Sequence, residues 1–332
     1  MNRRLPWAVG FLSAGMIAFQ LSLMQILSIC QWSHFAYMVI SVAMLGLGTS
    51  GTVLFFLKKK LLRKTEHYVP ILMILTSVSM VTILFFSARV FGGFDSYLVF
   101  YEKKHYADLL LTYFVLFIPF FLGATALGLI YIRYASGIGK LYFADLTGSG
   151  FASLLMLFLF WHFSPEHLPV IIACFPLLAG ILAIPAKGGK VIAGVGLIAV
   201  SILLAGGFCS AELPMSQYKS LSRTLLLPGA RIMEKVNSPY GHLTRVRANS
   251  LRYAPGLSLT YSGSVPVQEV LFNNGDWLGP VVTYDSAATD HFLDHATHAL
   301  PYVTGDHGSV FIAGAATGLY ADHARVRGVQ EI

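Results

Sequence analysis

Charge is scarce in this chain. Asp, Glu, Lys and Arg make up only 12% of its 332 residues, apolar residues 55%, and the mean hydropathy is +0.66. That is well short of the charge usual in soluble domains, so an ordinary water-soluble globule is excluded as a reading of the whole chain. Cysteine is scarce as well. Cys30, Cys174 and Cys209 lie in or beside apolar runs with no pairing pattern, which argues against both a disulfide framework and a metal knuckle. The formal charge of +7 does not point to nucleic acid, because most of the basic residues sit between apolar segments, where membrane topology accounts for them.

What the chain has instead is long apolar runs. Leu5–Ile29, His34–Leu57, Tyr68–Ala88, Ala107–Ile132, Leu141–Trp161, Pro169–Ile184 and Val191–Phe208 predict an α-helical transmembrane bundle of about seven spans, with the lipid bilayer as its partner. The first run is too long for a signal-peptide core and lacks a cleavage site, so it is retained. The sixth is the shortest. With Pro169, Pro176 and Pro185 it reads either as a kinked span or as a re-entrant segment.

Charge orients the bundle. A cytoplasmic N-terminus puts Arg3, Arg4, Lys58, Lys59, Lys60, Arg63, Lys64, Arg133, Lys140, Lys187 and Lys190 inside, leaving Arg89, Lys103 and Lys104 outside. Eleven against three follows the positive-inside rule for a bacterial-type plasma or inner membrane. Seven spans leave everything after Phe208 outside; six spans and a re-entrant segment leave it inside.

Several residues in the membrane tract carry a choice of readings. Gly46-Leu-Gly48-Thr-Ser-Gly51 matches a dinucleotide fingerprint letter for letter, yet it sits in an apolar helix with no strand before it. Small residues there predict close helix packing, and Gly123 to Gly128 and Gly148 to Gly150 read the same way. Asp145 follows Lys140 by five residues, which predicts a local pair or cap near the cytoplasmic interface. A proton-coupling or substrate role is the alternative. Gln20 and Gln25 read as interhelical hydrogen-bond partners.

From about Ser210 prolines, glycines and polar residues increase, and no later run is long enough to span a bilayer. Ala230–Val236 and His242–Ala248 alternate like two strands about Ser238-Pro239-Tyr240-Gly241. Leu257–Tyr261 and Glu269–Phe272 predict further strands, and Asn274-Gly275-Asp276 a tight turn. Ala287–Leu300 predicts a helix. Ser309 to Ala313 then reads as a buried strand, Gly314-Ala-Ala-Thr-Gly318 as a tight turn, and Leu319 to Arg327 as a helix. A strand that turns through glycines into a helix N-terminus offers free backbone N–H groups to a nucleotide-like ligand. The domain reading is therefore residues 1–209 as the membrane bundle, 210–285 as a small β-rich module, and 286–332 as the first helix-strand-helix of a Rossmann-like α/β domain.

The order of several motifs resembles one family. Leu-Pro-Gly-Ala-Arg (227–231), Ser-Pro-Tyr-Gly (238–241), Leu-Arg-Tyr-Ala-Pro-Gly-Leu-Ser-Leu (251–259), Leu-Phe-Asn-Asn-Gly-Asp (271–276), His298-Ala-Leu-Pro-Tyr and the Gly314–Gly318 turn resemble membrane-bound, spermidine-synthase-like proteins. Lys140-Leu-Tyr-Phe-Ala-Asp145-Leu-Thr-Gly-Ser-Gly is similar to a helix start in the same proteins. The resemblance implies a Rossmann-like aminopropyltransferase or methyltransferase domain. It would bind S-adenosylmethionine or its decarboxylated form, with Gly314, Ala316 and Gly318 lining the cofactor turn and a polyamine or other amine as second substrate. A Tyr-His-Glu run in the soluble enzymes corresponds imperfectly to Leu293-Asp294-His295, which makes Asp294 and His295 the substrate-binding candidates. Ala315, Ala316 and Thr317 replace more usual glycine and acid, and the family's catalytic aspartate is expected beyond Ile332. The chain is thus expected to be truncated inside that domain and inactive as it stands.

On a helix over 287–300, His291, His295 and His298 would share one face beside Asp294, a spacing that can suit a metal. A polar face lining a substrate cleft, or a solvated surface, is the plainer reading, and the family implies no metal. Two other functional classes stay open: a transporter-like or small-molecule-binding membrane protein with a regulatory soluble part, and a degenerate copy that folds without activity.

Overall fold

The computed structural model describes residues 3–95, 97–185, 190–207, 213–266, 268–282, 291–305 and 308–332. Its contacts divide the chain into two compact units, Met1–Ser216 with Asn237–Gly241, and Gln217–Val236 with His242–Ile332. The division falls a few residues after the expected 209/210, and the two segments expected as separate modules after it share one unit.

The first unit is helical: α1 (Leu5–Cys30), α2 (Ala36–Leu62), α3 (Thr65–Phe85), α4 (Ser87–Gly92), α5 (Lys103–Arg133), α6 (Ile138–His162), α7 (Leu168–Ala183) and α8 (Lys190–Gly207). Apart from short α4, each lies on a predicted apolar run. Among the described residues six helices are long and apolar enough to cross a membrane: α1, α2, α3, α5, α6 and α7 with their flanking turns. They are compatible with a membrane-embedded protein. So is the outer surface, where Phe55 and Phe56 of α2 and Phe143 and Leu154 of α6 stand largely uncovered, a face that suits lipid better than water. The re-entrant alternative for α7 lacks the break it needs. Pro169 sits in the first turn, where a missing N–H is harmless, Pro176 is accommodated within an unbroken helix, and Pro185 follows its end.

Helix α1 is the hub, packed against α2, α5, α6 and α7. Its most apolar stretch is 72% buried, whereas that of α6 is only 17% buried, so α6 is an outer helix with one face on α1. Apolar helices in lipid gain little from hydrophobicity and associate through close packing. The glycines mark where this happens. A Cβ on Gly148 would lie 2.1 Å from the Gly10 carbonyl oxygen, so α1 and α6 cross backbone to backbone. Gly46 brings α2 against Phe120 and Phe121 of α5, while Gly48 and Gly51 face open space. The fingerprint-like run is thus a helix interior in which only Gly46 serves packing. Gly123 meets Met16 and Gly128 meets Leu54, but Gly150 meets nothing.

Polar side chains in the bundle mostly bond locally. Ser50, Thr76 and Thr125 donate to carbonyls of their own helices three or four residues back. Gln31 bridges segments, its Nε2 donating to the Phe91 carbonyl at 3.0 Å. Arg89 and buried Asp108 pair at 3.1 Å, and Asp145 accepts a 2.6 Å hydrogen bond from the Tyr131 hydroxyl of α5. Cys30 is buried and Cys174 exposed; Cys209 lies outside the described residues.

Apart from the β1–β2 turn at Asn237–Gly241, which is counted with the first unit, the second unit contains α9 (Ser220–Thr224), β1 (Arg231–Ser238), β2 (Gly241–Arg247), β3 (Glu269–Asn273), β4 (Asp276–Val281), α10 (Leu300–Thr304) and α11 (Leu319–Val326). The strands form one sheet in the order β1-β2-β3-β4, with β2–β3 and β3–β4 antiparallel and Val246 opposite Val270. Asn274 and Gly275 both have positive φ, 51° and 77°, the conformation a two-residue hairpin requires, and the expected turn closes β3 onto β4. Lys219 reinforces it. This fully buried lysine donates to the Asn274 carbonyl at 3.0 Å and to Asp276 at 2.7 Å, while the Leu221 N–H donates to the Gly275 carbonyl.

Three local expectations need correction. Leu257–Tyr261 is no strand; Leu257 makes one bridge, to Ala296. Residues 291–299 are two short 3-10 turns (Phe292–His295 and Thr297–Ala299) instead of the end of a long helix; 283–290 lie outside the described residues. Pro301 opens α10 in its first turn, and a proline there starts a helix rather than ending one. Ser309–Ala313 forms no extended strand, and only Ser309 pairs, in parallel with Glu331.

Candidate functional site

The Gly314–Gly318 turn is built from alternating backbone hands. Gly314, Ala316 and Gly318 have φ of 72°, 49° and 82°, and Gly318 is the residue that caps α11. Left-handed backbone is nearly free for glycine but costs about 1–2 kcal/mol for alanine, so Ala316 is held there by its surroundings. Thr317 does the holding. Its hydroxyl donates to the Pro280 carbonyl of β4 at 2.6 Å and packs against Gly279, where an added Cβ would come within 3.1 Å. A Cβ on Gly314 or Gly318 would meet no atom within 4 Å. Glycine is required there by conformation, and the space beside the backbone is open. Ser309 before the turn and Glu331 after α11 are joined by a parallel bridge, supported by the Val310 N–H donating to the Glu331 carbonyl at 2.8 Å.

Asp294 lies at the centre of the charged groups. One of its oxygens accepts from His323 Nε2 at 2.8 Å and from Arg327 Nε at 2.8 Å, and Arg327 contacts it with a second guanidinium nitrogen. The other accepts from the His291 backbone N–H, completing a capping box in which the His291 ring accepts from the Leu293 N–H. Burial pulls the carboxyl upward, but the hydrogen bonds from Arg327 and His323 outweigh it and hold Asp294 below its ordinary range. His323 is fully buried, with the rings of His298 and Tyr302 edge-on at 5.5 and 5.3 Å. His298 also meets Tyr320 at 4.8 Å, and burial followed by the nearby His323 depresses its pKa. Its Nε2 is buried with no hydrogen-bond partner among the described residues.

The predicted residues are therefore placed as follows. Gly314, Ala316 and Gly318 line one turn at the start of α11. Asp294 has both oxygens engaged by the protein's own donors. His295 is exposed, its ring 4.8 Å from that of Tyr261, and its carbonyl accepts from the Ser258 N–H. Because 291–299 is not one helix, His291, His295 and His298 share no face, and no group of three His, Cys, Asp or Glu side chains suited to a metal occurs among the described residues. Sequence reasoning missed His323 and Arg327. His323 on α11 and Arg327 at its C-cap are spaced i, i+4, but the carboxylate they share lies 29 and 33 residues earlier. A cavity of about 320 Å³ lies beyond this network, lined by Tyr302, Gly305, Gly308, Arg327, Gly328, Val329 and Gln330.

No protein-family model matches the chain, and no curated protein or solved structure is significantly similar to it.

Proposed function

We propose that this is a multi-pass membrane protein, of the plasma or inner membrane in a bacterial-type cell, whose second unit binds an adenosyl sulfonium. The ligand class is S-adenosylmethionine or its decarboxylated form, as in a spermidine-synthase-like transferase. The observation that carries the reading is the parallel Ser309–Glu331 bridge across α11, with a glycine turn of left-handed residues at the helix's N-terminus. A parallel pair joined through a helix is the unit from which Rossmann-like domains grow, and ligands sit where the first strand turns into the helix. Here that turn keeps its backbone open on the side where Cβ atoms are missing. Transfer by such a domain is attack of an uncharged amine on the carbon beside the sulfonium, with a neutral thioether leaving and a proton lost from the amine. The protein's part is to hold the two reactants in line. Asp294, ionised and saturated with donors, shapes this region and is a poor proton acceptor.

Gly314→Val tests the reading. Valine at a φ of 72° is strained by about 1–2 kcal/mol, and its side chain fills the open space beside the turn. Titrated in detergent with S-adenosylmethionine and its decarboxylated form, the parent binds one of them and Gly314→Val binds it at least tenfold more weakly. Equal binding by both proteins, or none by the parent, overturns the proposal.

With α8 counted as a seventh crossing, a cytoplasmic N-terminus puts the second unit on the opposite side of the membrane. A reporter fused after Ser216 is then active only outside the cytoplasm. Cytoplasmic activity would mean that one helix does not cross, and would put the glycine turn beside the cytosolic supply of adenosyl ligand.

A further inference from the structure

The outer face of α6 carries a second feature, confined to the first unit. A groove of about 810 Å³ lies between α1, α6 and α7, with Trp7, Phe11, Phe143, Phe151 and Phe175 among the residues that line it. The α1–α6 crossing at Gly10 and Gly148 brings the two backbones too close for side chains to fill the space. Along α6 the lining runs from Gly139 to Phe151, twelve steps of ~1.5 Å, or ~18 Å. That is close to the depth of one leaflet, about half of a hydrocarbon core ~30 Å thick.

At the end nearer the α5–α6 turn the surroundings become polar. A neighbouring cavity of about 420 Å³ is lined by Tyr134, Ser136, Gly137, Gly139 and Lys140, and it shares Gly139 and Lys140 with the groove. No acidic residue lines either one among the described residues. Lys140 is exposed, and Asp145, the nearest acid on its helix, is bonded to Tyr131. Trp7, 70% exposed at the start of α1, is the kind of residue found at headgroup depth. One amphipathic slot therefore joins an apolar channel one leaflet deep to a cationic, hydroxyl-bearing mouth.

We infer that this slot binds a membrane phospholipid with an anionic headgroup. Its phosphate pairs with Lys140, its headgroup occupies the Tyr134–Gly137 cavity, and one acyl chain lies along the glycine crossing. The inference rests on the membrane embedding of the first unit and not on adenosyl binding; sedimentation with membranes after alkaline washing checks the embedding separately.

The full chain, purified in detergent, is exchanged into mixed phosphatidylglycerol and phosphatidylcholine, and the lipid retained is read by native mass spectrometry. The parent retains phosphatidylglycerol over phosphatidylcholine by at least tenfold. Lys140→Glu abolishes that preference. Thr147→Phe lowers retention of both lipids by filling the channel from an exposed position, which leaves the lipid-free melting temperature unchanged. No headgroup preference in the parent, or Lys140→Glu retaining phosphatidylglycerol like the parent, overturns the inference. So does disulfide-linked dimer formation by Thr147→Cys in the membrane, since a second copy would then cover the groove.

Discussion

Gly148→Val is expected to prevent the helical unit from folding as a monodisperse species. A Cβ at this position lies 2.1 Å from the Gly10 carbonyl oxygen, 2.7 Å from its carbon and 2.8 Å from its Cα. All three are backbone atoms, so no rotamer change relieves the clash. Overpacking costs ~1–3 kcal/mol where side chains can shift, and here two helices must separate. The separation opens the packing of α1, the hub of the bundle. Thiol labelling of buried Cys30 reads the loss, with exposed Cys174 as the unchanging background. At temperatures where Cys30 of the parent is protected, Gly148→Val should label completely. Gly51→Val and Gly150→Val are the controls, because both sites face open space and valine is no worse a helix former than glycine. Gly46→Val falls between, with Phe120 Cβ at 2.8 Å and the Phe121 nitrogen at 2.9 Å. Protection of Cys30 in Gly148→Val equal to the parent would mean that α1 and α6 do not cross at backbone distance.

This contrast also marks how far the sequence could be read. Helix positions were legible because bilayer thickness fixes the length of an apolar run, and α1 to α3 and α5 to α8 follow the predicted runs closely. Which glycines pack was not legible. Gly46, Gly48 and Gly51 look equivalent in sequence, and only the direction of the neighbouring helix separates the first from the others. In the second unit the β3–β4 hairpin was legible from Asn274-Gly275, a local signal that acts through two backbone torsions. Over 291–299 the expected helix gives way to two short 3-10 turns, and Pro301 sits in the first turn of a new helix, α10. Ser309–Ala313 misled as well. Parallel pairing depends on a partner far along the chain, which an apolar run by itself does not supply, and only Ser309 has one, in Glu331. Lys219 with Asp276, and Asp294 with His323 and Arg327, are separated by 57, 29 and 33 residues, beyond any local spacing rule. The candidate turn was therefore readable, and the network beside it was not.

Asp294→Asn is expected to loosen α11 strongly and to remove a pH dependence. In the parent one carboxylate oxygen serves both His323 and Arg327. His323 is fully buried, while the Arg327 side chain keeps 39% of its exposure and can return to water. Hydrogen bonds to a charged group contribute ~1.5–3 kcal/mol, and the partial exposure of Arg327 argues for ~2 kcal/mol. At ~1.36 kcal/mol per factor of ten, ~2 kcal/mol is a rise in local opening of about 30-fold. Hydrogen exchange of peptides over 319–327 should show that rise near pH 7, while peptides over 241–247 and 269–281 change much less. The sign of the pH effect follows from the carboxyl being depressed in the folded state. Its contribution is complete above the unfolded value of ~3.9 and disappears as pH falls through the lower folded value. Parent and variant should therefore differ fully at pH 5 to 7 and converge below pH 4, compared at each pH. Adenosyl and amine binding separate the two roles open to Asp294. A structural clasp predicts faster exchange with ligand affinity lost only in proportion. A direct amine contact predicts unchanged exchange over 319–327 with amine affinity lost, and that pattern would return Asp294 to the substrate site.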